Sequence, residues 1–306
     1  MAARLPLFLL LLAMAACTAP QTARLVEDPA DLPRQVLLEE APFFPQTDYY
    51  CGPAALAMTL TWSGVEQDPD DLVSQVYTPG REGTLAPDIV AAARRHGRLA
   101  VELRNLRDLL TELAAGNPAI VFQNLALDWW PQWHFAVAVG YDLDRRVLIL
   151  HSGTTERLVT PLDAFERTWA RSGHWALLTL PPDQLPASTG AGPVLIAAAG
   201  LEQARRYRAA VTAYETASVR WPQEPAVWIG KGNALFALEQ FAPAEEAFRA
   251  ALQRAPQHPA AWNNLAYTLS RQGRRDEAVA AARKAVEFAG DDNAAYRDTL
   301  KEVSGP

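Results

Sequence analysis

A chain of 306 residues with 28 Lys and Arg against 35 Asp and Glu carries a net charge of −7. That balance argues against nucleic acid as a partner, because such binding needs a basic face. Hydrophobic residues make up 49% and charged residues 21%, which fits folded globular protein rather than a disordered chain. The length suits two domains, and no apolar run reaches the roughly 20 residues that span a bilayer.

At the N-terminus, Arg4 precedes an apolar run from Leu5 to Leu12, which small residues close at Ala15-Ala16-Cys17. One positive charge, an apolar core and a small-residue end are the parts of an export signal. The ending resembles a bacterial lipobox, with Met14 where Leu is usual. The resemblance implies cleavage after residue 16, a lipid on Cys17 and a periplasmic location. Thr18 in place of Asp points to the outer membrane. The alternative is ordinary secretory cleavage after Ala15, since Ala13-Met14-Ala15 fits an A-x-A site. Residues 17–38 mix Pro, charge and scattered apolar positions, the composition of a tether.

From 39 to 182 short helices and strands alternate. Cys51–Trp62 is a helix with Pro53 in its first turn, where a missing N–H is tolerated. Pro87–His96 and Leu106–Ala115 are helices, each followed by Gly. Ala119–Gln123 is a strand. His134–Tyr141 and Arg146–His151 flank a four-residue turn, Asp142–Arg145, as a β-hairpin. Pro161–Trp169 is helical and Trp175–Leu180 a closing strand. Helices ahead of an antiparallel sheet make this an α+β domain.

Residues 183–190 continue a Pro-rich stretch that reads as a linker. Beyond it the pattern is Ala-rich and helical, with a period of 34: Trp228 recurs as Trp262, Leu235 as Leu269, Ala244 as Ala278 and Ala251 as Ala285. The same step leads back to Ala210, Tyr214, Ala217 and Pro222. This resembles tetratricopeptide repeats, with units at 191–224, 225–258 and 259–292 and a capping helix to residue 301. The first unit has Val194 in place of the Trp. The resemblance implies an all-α superhelix that binds a peptide or protein on its concave face, or a docking scaffold.

The chemistry concentrates around Cys51. If Cys17 is acylated, Cys51 is the second of two cysteines and has no intramolecular partner, so it is either reactive or inert by burial. At a helix start it meets backbone N–H groups and the positive end of the dipole, which favour thiolate. Gln46 is placed to donate to a developing oxyanion, and His134 to act as base.

Gln46-x-Asp48-x-x-Cys51-Gly52, Gly83-Thr84-Leu85, Asn117-Pro118-Ala-Ile-Val121 and His134-Phe-Ala-Val-Ala-Val-Gly140-Tyr141 occur in order. Together they resemble the papain-like double-glycine (bacteriocin-processing) leader peptidases. The resemblance implies a papain-like fold with Cys51 as nucleophile, His134 as general base and Gln46 as oxyanion donor. The family's third residue is an acid on the strand after the base. A four-residue turn pairs Tyr141 with Arg146, so strand alternation puts His151 at that position. Asp142 and Asp163 are the alternative acids to an imidazole there.

His96, His174 and His258 read as structural. No HExxH, Cys–His spacing or phosphate-binding glycine loop is present, so neither metal nor cofactor is expected. Trp129, Trp130 and Trp133 lie just before His134, either as core or as the wall of a peptide groove. The favoured function is a lipid-anchored periplasmic cysteine peptidase acting on a peptide or protein substrate, with a protein partner on the repeats. A degenerate, non-catalytic binding adaptor is one alternative. A thiol amidase or acyl transferase acting on cell-wall peptides is the other.

Overall fold

A computed structural model describes residues 19–46, 50–81, 83–290 and 293–305. The export signal, Cys17 and Thr18 lie outside the described residues, as does Asp48. The chain divides into two compact units, one formed mostly from residues up to Leu180 and the other from Thr189 onward.

The first unit is α+β. Its main sheet runs β4 (Leu99–Leu103), β9 (Ala176–Leu180), β5 (Ala119–Asn124), β6 (Trp133–Asp142), β7 (Val147–Ser152) and β8 (Thr155–Pro161). β1 (Gln35–Leu37) adds to the far end of β6, and β2 (Tyr77–Thr78) pairs with β3 (Gly83–Thr84) in a separate ribbon. The helix Cys51–Trp62 is buried continuously from Gly52 to Leu60. A helix apolar all round must lie inside a domain. It shares a core with Ile120, Phe135, Val137, Val139 and Leu177 of the sheet.

Segment 17–38, expected as a tether, is structured from Pro20. Helix Pro20–Glu27 is held by the buried Glu166 carboxylate, which accepts the amides of Gln21 (2.8 Å) and Thr22 (2.6 Å). A carboxylate on a helix's free amides is favoured by charge and by the dipole. Its sequence shows no such signal, because the partner lies more than 140 positions away.

The second unit is all helical. Paired helices begin at Ala191 and Tyr207, Pro225 and Phe241, and Pro259 and Arg275, followed by Ala294–Ser304. The starts recur every 34 residues, the sequence period. Repetition extends to single bonds: Trp228 Nε1 donates to the Pro222 carbonyl (3.0 Å), and Trp262 Nε1 to Pro256 (2.8 Å). Gly230 lies where the Tyr214 ring crosses, and an added Cβ would overlap that ring. Gly230→Ala sets ~1 kcal/mol of helix propensity against ~1–3 kcal/mol of overpacking. Because Tyr214 is buried, the steric cost wins, and a lower denaturation midpoint of the helical unit is expected. An unchanged or raised midpoint would contradict that packing.

Candidate active site

Cys51 opens its helix with Tyr50 as the N-cap residue. Gly52 follows because the Thr84 side chain packs where any Cβ would stand. This explains why the Cys-Gly pair and Gly83-Thr84 occur together. The Cys51 sulfur lies against the backbone N–H of Phe135 and the first helical amides, Cys51 and Gly52. It therefore sits beside the residue that directly follows His134.

Burial pushes the Cys51 thiol up from its ordinary range, and the hydrogen bonds from Phe135, Gly52 and Cys51 offset that only in part. The helix start does favour the anion, as its position suggests, but desolvation wins. Burial likewise lowers the His134 imidazole. Burial thus favours the uncharged form of each group, the thiol of Cys51 and the imidazole of His134. Iodoacetamide should label Cys51 more slowly than an unperturbed cysteine at pH 7, with the rate rising only above the usual thiol range. Fast labelling at neutral pH would show that the helix amides outweigh burial.

His134 Nε2 is 2.8 Å from Ser152 Oγ, so that ring nitrogen is engaged by the serine. His151 does not meet His134. It is buried, its Nδ1 accepts the Arg157 amide (3.2 Å), and its Nε2 donates to the Ala41 carbonyl (3.2 Å). That pairing fixes a neutral tautomer and gives His151 a structural role.

The expected position of His151 fails for a specific reason. Asp142 pairs with Val147, Tyr141 with Leu148 and Gly140 with Ile149, so the turn is Leu143–Arg146. This moves the register by two, which alone would keep His151 on His134's face. The pairing then shifts back by one at Val139, after which Ala138 meets Leu150 and Val137 meets His151. One extra residue exchanges the faces, and Ser152 takes the place facing His134. The substitute acids lie at the other end of the sheet. Asp142 accepts from Gln35 Nε2 and the Arg145 amide at the far end of β6, and Asp163 opens helix Leu162–Ala170 just after Pro161, which pairs with Val147 at that same end.

Gln46 is 6% exposed, and its side-chain Nε2 and Oε1 have no partner among the described residues. Its own amide donates to the Gly153 carbonyl (3.0 Å), one residue past Ser152. A buried amide without a partner is costly, and an oxygen reaching the site would relieve that cost. Gln46 is thus tied to the same strand end as Ser152. Ser152 itself was missed by sequence reasoning, and only the bulge reveals it. The remaining histidines have local roles: His258 caps helix Pro259–Arg271 by accepting the Ala261 amide, and His174 lies edge-on to Trp169. Among the described residues, no cluster of His, Cys, Asp or Glu is arranged to hold a metal ion.

Residues 38–177 match the Peptidase_C39 like family, and residues 198–242 and 229–294 match tetratricopeptide repeats. The chain thus carries a C39-like peptidase domain followed by tetratricopeptide repeats. No curated protein matches it. Similar solved structures include one described as a C39-like peptidase from Bacillus anthracis, with 20% identity and TM-score 0.43, covering 48% of this chain and 98% of that one. Another is the Sgt2 tetratricopeptide domain from Aspergillus fumigatus, with 20% identity and TM-score 0.35, covering 36% of this chain and 74% of that one. A third is the Yersinia enterocolitica type III secretion chaperone SycD in complex with a peptide of the translocator YopD, with 16% identity and TM-score 0.35, covering 36% and 89%.

Proposed function

We propose that this chain is a lipid-anchored periplasmic cysteine peptidase, with Cys17 lipidated in the outer membrane and the repeats recruiting a protein substrate or partner. The observation that carries the catalytic reading is the grouping, within a C39-like domain, of the Cys51 sulfur on the Phe135 amide, His134 on Ser152, and the unpartnered amide of Gln46.

Because burial favours the uncharged thiol and imidazole, attack and proton transfer are coupled. As the sulfur adds to a peptide carbonyl carbon, the thiol proton passes to His134 Nδ1. The oxygen's negative charge meets the Gln46 amide and the first amides of the Cys51 helix. Collapse of the adduct breaks the C–N bond, and the imidazolium gives its proton to the departing amine. Water then attacks the thioester with His134 again accepting a proton, and release of the carboxylic acid restores the thiol.

Ser152 in the place of an acid favours the second reading, a peptide-binding adaptor. One digest separates the two. The protein and its Cys51→Ala variant are incubated with a mixed peptide library, and new termini are read by mass spectrometry. Cleavage by the wild type alone supports the peptidase, whereas identical digests sink it. Products in which an amine replaces water at the new carboxyl end would identify an acyl transferase. The anchor is checked separately by metabolic labelling with a palmitate analogue, with incorporation expected to vanish in Cys17→Ala.

A further inference from the structure

The loop joining β5 to β6 is an ordered finger. Asn124 Oδ1 closes its neck by accepting the amides of Ala126 (3.1 Å) and Gln132 (2.9 Å). The Leu125 amide donates to Gln132 O (2.9 Å), and the Trp130 amide to Leu127 O (3.0 Å). At the base, Trp133 stacks on Phe122 with ring centres 5.1 Å apart. At the tip, Trp129 and Trp130 are 78% and 73% exposed, beside the half-exposed Leu125 and Leu127. The sequence left this cluster as core or groove wall, and the structure shows that its tip is not core. Side chains of this size held out together by a rigid scaffold mark a surface meant to be covered. Asp128 is the finger's sole charged residue, and the Arg171 guanidinium lies 3.8 Å from it.

What covers the tip follows from how the finger and the N-terminal helix are seated. Both rest on helix Leu162–Ala170 and the residue that caps it. Glu166 holds the amides of Gln21 and Thr22. Arg171 donates to the carbonyls of Asn124 (3.2 Å) and Ala126 (2.8 Å). The Gln21 side chain also accepts the Leu106 amide (2.6 Å), just past β4, and Arg104 there donates to the Gly173 carbonyl (3.3 Å), two residues from Arg171. The start of the N-terminal helix and the neck of the finger therefore lie at the same end of the sheet. Cys17 precedes Pro20 by three residues, a reach of roughly 10 Å. A lipid on Cys17 would bring this end of the unit to the headgroups.

We infer that the Leu125–Trp133 finger is a membrane-interface anchor, seating Trp129 and Trp130 in the headgroup layer of the bilayer that holds the N-terminus. The inference rests on the membrane-attachment part of the proposed function. Tryptophan, with an apolar body and one polar N–H, favours that layer. Acyl anchoring gains stability from a second, independent contact. With its single carboxylate paired, the tip needs no anionic lipid, so the contact is insensitive to salt. His134 directly follows the finger, so the site faces peptides held near the membrane surface.

The test uses the full-length, processed protein on phosphatidylcholine vesicles with plain or brominated acyl chains. Wild type should co-float with both, and the brominated lipid should quench part of its tryptophan fluorescence. Trp129→Phe/Trp130→Phe should co-float equally and lose most of that quenching. Equal quenching in the two proteins, or none in either while both co-float, would overturn the finger's role and leave the attachment standing. Failure of the wild type to co-float would overturn both. Trp129→Ser/Trp130→Ser adds a second readout, earlier release from vesicles under mild detergent. Release identical to wild type counts against the inference.

Discussion

Cys51→Ala is expected to remove peptide hydrolysis altogether, a loss on the order of 10⁶ in kcat where nucleophile and base act as a unit. His134→Ala should cost roughly 10²–10⁴ as a lost general base, and adding it to Cys51→Ala should cost nothing more. The reason lies in the resting state of the pair. With the thiol raised and the imidazole lowered by burial, little thiolate exists before substrate arrives. Nearly all of the sulfur's nucleophilicity must then come from proton transfer to His134 during attack. The measurement is kcat and KM on the best-cleaved library peptide for the two single variants and the double. If His134→Ala were as active as wild type, the base would lie elsewhere and the assignment of the pair would fall.

The second large effect runs the other way. Ser152→Asp should raise activity roughly 10- to 100-fold, because a carboxylate beside a histidine shifts its titration by ~1–3 units, each unit being 1.36 kcal/mol. A hydroxyl can donate to Nε2 or accept from it, so it leaves the tautomer open. When Ser152 donates, the proton sits on Nδ1 and His134 cannot take another from the thiol. A carboxylate only accepts, which fixes the proton on Nε2 and frees Nδ1. It also stabilises the imidazolium that forms, so the sign for the sulfur is toward thiolate. Iodoacetamide labelling of Cys51 at pH 7 should therefore speed up in the variant. Ser152→Ala should lose activity without gaining labelling rate. A folded Ser152→Asp protein with neither faster labelling nor faster turnover would show that Ser152 does not orient His134.

Much of the fold was readable where the pattern is local. Helix Cys51–Trp62 has its observed limits in the sequence, since an apolar run with Pro in its first turn and Ser63-Gly64 after it leaves little choice. The repeats were legible for a different reason. Each unit is the same two-helix piece, so Trp, Ala and Pro recur at a fixed step, and the helices begin every 34 residues. What escaped was polar or held by distant partners. β8 reads Thr155-Glu-Arg-Leu-Val-Thr-Pro161, an edge strand almost wholly exposed, with no apolar alternation to mark it. Helix Pro20–Glu27 depends on Glu166, which no local pattern connects to it.

The site divides along the same line. The sequence by itself determined the chemical identities: a cysteine at a helix start, a histidine opening a strand, a glutamine five positions before the cysteine, and repeats with a fixed period. These are properties of residue type and short spacing. Two matters were left to the tertiary structure. The balance between helix amides and burial at Cys51 depends on how much protein surrounds the sulfur, which residue type does not reveal. The partner of His134 depends on one extra residue at Val139, where β5 stops pairing with β6 and β1 takes over at Gly140, its backbone so close that a Cβ there would overlap Val36. Side-chain facing in a strand has a period of two, so that single residue exchanged His151 for Ser152. The bulge lies where two other strands meet the edge of β6, a junction set by the fold rather than by the hairpin's own sequence.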